Sequence, residues 1–138
     1  MSFLLDTNAV SEWVKPRPNP GLIGWMESTD EDRVFISVVT LADLRYGVER
    51  LAAGARRRRL EEWLGRELPL RFEGRMLPVD ADVAEAWGET VSRSEAMGRP
   101  IGAMDAFLAA TAEVHQLTLV TRDVSDFKVL KTVMNPWT

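Results

Sequence analysis

Asp6, Asp43, Asp105 and Asp123 are carboxylates spread along the chain, and each stands beside an apolar run. Acids brought to one point repel one another unless a cation neutralises them. The chemistry such a set suggests is binding of a divalent ion and activation of water by it. Oxygen-only ligands suit Mg2+ or Mn2+. Competing chemistries are poorly supplied: the chain has no cysteine, which removes thiolate catalysis, disulfides and thiolate zinc sites. His115 is the sole histidine, so a His-rich metal site or a Ser-His-Asp triad has little to build on.

The four acids differ in how well a structural role explains them. Asp6 follows Phe3-Leu4-Leu5 directly; it either caps the next helix or sits at the mouth of a sheet and holds a cation. Thr40-Leu41-Ala42-Asp43 has the spacing of a capping box, worth about 1 kcal/mol to a helix. Asp123 and its neighbour Asp126 read equally well as loop or cap residues. Asp105 is hardest to explain structurally. It lies among Ala103, Met104, Ala106, Phe107 and Leu108, where a lone ionised carboxylate costs several kcal/mol unless paired or bound to metal. Arg99 is the nearest base.

Positioning these acids requires strands that end where they stand. Phe3-Leu4-Leu5, residues 34–39 (VFISVV), 76–79 (MLPV) and 117–120 (LTLV) read as strands. Helices are predicted between them. One runs from Asn8 to Lys15 and stops at Pro16. A second is capped by Asn19 with Pro20 at its first position. Others cover 40–52, 55–68, a segment starting at Asp80, and 101–116. The tail at 129–134 is placed as an added edge strand. Strands separated by helices imply an α/β fold: a parallel sheet flanked by helices on both faces. In such a sheet ligands bind beyond the carboxyl ends of the strands, where Asp6, Asp43 and Asp123 are expected. Asp105 joins them if its helix begins there.

The 138 residues suit one domain, 1–138, with a sizeable core. No apolar run reaches the length of a membrane span and no basic leader precedes an apolar stretch, so a cytoplasmic protein is expected. The net charge of −4 does not mark a general nucleic-acid binder, and it accommodates a local acidic pocket.

FLLDTN, SVVTLADLRYG, GRPIGAMDAFLAATA and LTLVTRDVSDF, in this order and near these spacings, resemble the PIN-domain ribonucleases, in particular the VapC and FitB toxins of toxin–antitoxin pairs. The resemblance covers essentially the whole chain. It implies a five-stranded parallel sheet, an acidic Mg2+ or Mn2+ site, and metal-dependent hydrolysis of RNA leaving 5′-phosphate and 3′-hydroxyl ends. It also implies a homodimer and neutralisation by a cognate antitoxin. By motif, Asp6 and Asp105 are the implied metal ligands. Asp123 matches a position often occupied by Asn or Asp, and Asp126 a recurrent acid. Asp43 departs from the pattern, which usually has Glu in an LAELR-like motif. Its carboxylate reaches roughly 1.5 Å less. Thr7, Asn8 and Thr121 are the groups expected to orient the acids by hydrogen bonds.

Arg45 and Arg122, nearest the acids in sequence, are candidates for phosphate contacts. Arg56 to Arg59 form the densest basic run, beside Glu61 and Glu62, and read first as a solvated helix face. Trp13, Trp25, Trp63 and Trp87 read as core or interface residues; Trp13 and Trp25 flank a Pro-rich turn expected to face the antitoxin. Two other readings compete. One is a metal-dependent phosphatase or phosphotransfer domain, against which Asn8 stands where a second acid is usual. The other is an inactive PIN-like module that acts only through partner binding.

Overall fold

The computed structural model describes residues 1–138. Five short strands form one parallel sheet: β1 (Phe3–Leu5), β2 (Val34–Ser37), β3 (Met76–Leu77), β4 (Thr118–Val120) and β5 (Val133–Met134), in the order β3-β2-β1-β4-β5. The tail does supply the edge strand. Leu4 faces Phe35 on one side and Leu119 on the other. Successive side chains point to opposite faces of a strand, and the two cores follow that rule. Phe3, Leu5, Val34, Ile36 and Val120 join one cluster with residues of the helices on that face. Leu4, Leu117 and Leu119 join Leu108, Ala109 and Phe127 in the other. Both faces are therefore covered, as a parallel sheet requires.

Helix α1 (Thr7–Trp13) starts on Asp6, and α2 (Pro20–Ser28) on Asn19, whose side chain accepts from the amides of Gly21 and Leu22. Helix α3 (Val38–Glu49) begins earlier than its sequence suggests. Ser37 caps it by accepting from the Val39 amide, so Val38 and Val39 are helical instead of ending a strand. The capping box at Thr40 and Asp43 is thereby overturned: both lie inside the helix, and Thr40 is fully buried. One hydroxyl before a pair of valines outweighs their β propensity, because packing decides their state.

Residues 55–71 form a continuous helical rod: α4 (Ala55–Glu62), a π-helical turn (Trp63–Glu67) and α5 (Leu68–Arg71). Pro69 has no amide to give to the carbonyl four residues back, and the wider turn ahead of it accommodates the loss. Helix α6 (Ala81–Ala96), capped by Asp80, packs along α7 (Ala103–Val114). Its last turn is closed by Gly98 at φ +68°, with Gly98 N–H donating to the Glu95 carbonyl at 2.9 Å and Arg99 N–H to that of Ser94 at 3.0 Å. This is a Schellman stop, followed by Pro100. Helix α7 starts two residues later than the predicted 101–116 and is not apolar all round. Ala103 and Met104 are exposed and Asp105 is half-buried, while residues 106 and 108–112 pack inside. No helix is long and apolar enough to cross a membrane.

Candidate active site

Strand β1 is central, with β2 on one side and β4 on the other. The order reverses there, and the crevice beyond the carboxyl ends of β1 and β4 is the place where such a sheet binds ligands. Asp6 follows β1 immediately, and Thr121 to Asp123 follow β4. A cleft of about 370 Å³ opens at this point, lined by six carboxylates (Asp6, Glu12, Asp43, Asp105, Asp123 and Asp126) against two bases, Lys15 and Arg122. The four aspartates singled out in the sequence come from four different segments and share this one cleft.

Asp6 takes the capping role and also stands at the mouth of the sheet. It caps α1, accepting from the Thr7 amide at 2.6 Å, and its other oxygen accepts from the Thr121 hydroxyl at 2.7 Å. It is 7 % exposed. Burial pushes its pKa up, bonds from Thr121 and Thr7 oppose the rise, and the charges of Asp123 and Asp43 add to it. Thr121, itself fully buried, is the centre of the network. Its hydroxyl donates to Asp6 and accepts from the Asp123 amide at 3.0 Å and from Asn8 Nδ2 at 3.3 Å.

Asn8 also donates to Asp123 Oδ2 at 3.0 Å, while its Oδ1 accepts from the Arg122 amide at 3.4 Å. It thus ties α1 to the loop after β4. Thr7 donates to Asp43 Oδ2 at 3.0 Å, and its hydroxyl lies 3.3 Å from that of Thr40. Thr7, Asn8 and Thr121 each hold an acid in a fixed orientation. Asp105 is held by no hydrogen bond. Desolvation, reinforced by the charges of Asp6, Asp126, Asp43 and Asp123, raises its pKa to about 6.

Glu12, Lys15 and Ser11 also line the cleft, and the sequence reading passed over them. Asn8, Ser11 and Glu12 form a stripe at helical spacing along α1; the helix ends at Trp13, short of the predicted Lys15, which follows just past its C-cap Val14. That periodicity of polar residues was the available signal. Glu12 accepts from Lys15 Nζ at 2.9 Å and from the Asn19 amide at 2.9 Å. The Lys15 bond chiefly holds its pKa down, with the Asn19 amide and the Lys15 and Arg122 charges helping and burial opposing. Arg122 is exposed, 3.7 Å from Asp123. Arg45 lies on α3, 3.8 Å from Glu49, and is not part of the cleft wall. Arg57 is engaged by Glu49, Glu61 and the Leu51 carbonyl. The tryptophans stay out of the cleft: Trp25 packs edge-on against Phe3, Trp13 against Phe72, and Trp87 stacks on Phe107.

The donor set is all oxygen, which suits a hard divalent cation. No three acids stand close enough together to enclose an ion by themselves. Mg2+ does not demand that, since it commonly keeps several waters and takes one or two carboxylates. The unbonded Asp105 carboxylate, and the burial and then mutual repulsion that raise the pKa values of Asp6 and Asp105, fit a site that gains from a cation.

Fold and cleft together define an α/β protein with an anionic site at the switch point of a parallel sheet. Comparison with known proteins narrows this. Residues 3–131 match the model of the PIN domain. The chain is 39 % identical to the toxin FitB of Neisseria gonorrhoeae over 136 residues, 98 % of each chain. It is 33 % identical over 136 residues to VapC ribonuclease Y4jK of Sinorhizobium fredii, covering 98 % of this chain and 97 % of that one. The solved structure of FitAB bound to an IR36 DNA fragment superposes with a TM-score of 0.91 at 36 % identity, over 99 % of this chain and 96 % of the other. The chain belongs to the PIN-domain family.

Proposed function

We propose that the chain, as one PIN-like unit spanning 1–138, is a metal-dependent endoribonuclease toxin that acts in the cytoplasm and is restrained by a cognate antitoxin. The observation that carries the reading is the gathering of Asp6, Asp43, Asp105 and Asp123 from separate segments into one cleft at the switch point. The likeness to a VapC ribonuclease supports the activity. The likeness to the toxin FitB and to the FitAB complex supports the antitoxin. A homodimer is proposed on the family resemblance.

Asp6 and Asp105 would hold Mg2+ or Mn2+, with Asp43 and Asp123 completing the acidic ring. Such an ion supplies Lewis acidity at the phosphoryl oxygens and lowers the pKa of water, for hydrolysis of a phosphodiester bond. The chain's own part is orientation. Thr121 and the Thr7 amide fix the two oxygens of Asp6, so that the carboxylate cannot rotate away when the cleft is empty of substrate. Thr7 aims Asp43, which reaches one methylene less far than Glu, and Asn8 aims Asp123. Asp126 lies at the rim. Lys15 and Arg122 are the two bases that line the cleft and are the groups for the scissile phosphate; Arg45 is not part of its wall.

The test is cleavage of RNA by the purified chain in Mg2+ or Mn2+, with Asp6→Asn as the control. Loss of cleavage in EDTA and in Asp6→Asn is expected. A folded chain that cleaves no RNA in either metal, yet still binds its antitoxin, would establish the inactive partner-binding module instead.

A further inference from the structure

The acid cleft continues past Asp105 and Asp126. These two side chains also wall a second cavity, of about 380 Å³, whose lining includes Arg99 and Lys128. Its lining is polar, with Ile101 and Val129 the hydrophobic members, and holds no aromatic ring. Arg99 and Lys128 are exposed, and neither takes part in an ion pair, unlike Arg57, Arg71, Arg75 or Arg93 elsewhere. Both are mounted on fixed backbone. Arg99 is the last residue of the Schellman stop of α6; the Ser94 hydroxyl donates to its carbonyl and Pro100 follows. Lys128 follows the 3-10 turn Val124–Phe127, which the buried Phe127 anchors to the core.

Carboxylates repel the phosphates that flank a scissile bond. A strand reacting in the cleft must therefore carry its neighbouring phosphates past the acidic walls to cations. We propose that this second cavity is the track along which the RNA strand leaves the acid cleft, with Arg99 and Lys128 binding its backbone phosphates. The inference rests on the ribonuclease reading and extends it. Contacts of this kind to phosphate position the strand and carry no sequence information themselves.

The experiment measures binding of a fluorescein-labelled, unstructured 12-nucleotide RNA by anisotropy in Mg2+, in an Asp6→Asn background that keeps the probe intact. Arg99→Gln/Lys128→Gln is compared with Arg17→Gln/Arg66→Gln, the same charge change at surface sites outside both cavities. Loss of two phosphate contacts to a single strand flattens the slope of log K against log salt by about 1.4 and weakens binding roughly 10–30-fold at 0.1 M salt. The comparison pair should shift far less, and Lys128→Glu should weaken binding more than Lys128→Gln. Equal effects of the two pairs overturn the track. Cleavage by the wild type, assayed separately, keeps the two readings distinguishable. Cleavage with equal binding effects removes the track alone, whereas selective binding loss without any cleavage by the wild type removes the ribonuclease reading alone.

Discussion

Replacing Asp105 by Asn should raise the thermal stability of the metal-free protein at neutral pH and change it little near pH 4. The side chain accepts no hydrogen bond in the fold and carries a pKa raised from 3.8 to about 6 by desolvation and then by Asp6, Asp126, Asp43 and Asp123. A carboxyl whose folded pKa exceeds its unfolded one binds its proton more tightly when folded. Stability from this group is greatest at low pH and is lost as pH rises through the window from about 4 to about 6. The ceiling is about 3 kcal/mol, at about 1.4 kcal/mol for each pH unit of the rise. The carboxyl is half in water, which screens it, so roughly 1–1.5 kcal/mol is expected. At about 3 °C for each kcal/mol in a chain of this size, Asp105→Asn should melt roughly 3–5 °C higher in EDTA at pH 7.5. Near pH 4 the gain should have largely vanished. Addition of Mn2+ at pH 7.5 should then raise the wild-type Tm more than that of the variant, because the ion binds only the native state and the variant has lost a ligand charge. A lower Tm for the variant in EDTA at pH 7.5, or an equal gain at both pH values, would refute the account of a crowded acid. Equal Mn2+ shifts would remove Asp105 from the metal site.

Thr121→Val keeps shape but leaves Asp6, the Asp123 amide and Asn8 without their shared hydroxyl; a loss of about 1–3 kcal/mol in urea unfolding and a fall in kcat are expected. Asp43→Glu should raise cleavage and Asp43→Asn should lower it, since the helix is capped by Ser37 and owes Asp43 no cap; unchanged turnover in Asp43→Asn would take this residue out of the site. A Cβ at Gly21 would lie 2.4 Å from the Pro136 carbonyl oxygen, so Gly21→Ala should displace the C-terminal residues from α2 at a cost of about 1–3 kcal/mol, read as faster proteolysis of the tail. Thr90 is buried with its hydroxyl unpartnered, and Thr90→Val should raise Tm by removing a desolvated polar group, on the order of 1 kcal/mol.

Local chemistry was sufficient to place much of this molecule. Short apolar runs rich in β-branched residues, and their ends, identified β1, β2 and β4, because a strand buried on both faces has to be apolar and can turn polar only where it leaves the sheet. Asn19-Pro20 and Asp80 announced helix starts, since a cap acts within three residues of itself. Asp105 stood out because an acid among alanines and leucines requires a reason. Tertiary structure decided what depends on distance through space. Ser37, and not Thr40, starts α3, and propensity alone could not show that two valines would turn helical behind that cap, with Val39 packed into a core. The start of α7 faces the cleft instead of the core, so Asp105 is half-buried where its neighbours implied full burial. Thr121 as the common partner of Asp6, Asn8 and Asp123 exists only because β1 and β4 are adjacent in the sheet, although 113 residues separate Asn8 from Thr121. Glu12 and Lys15 became part of the cleft for the same reason: helical spacing put Glu12 on one face of α1 with Asn8, and Lys15 reaches back to it from beyond the helix end, but only the sheet order determined that this face borders the acids.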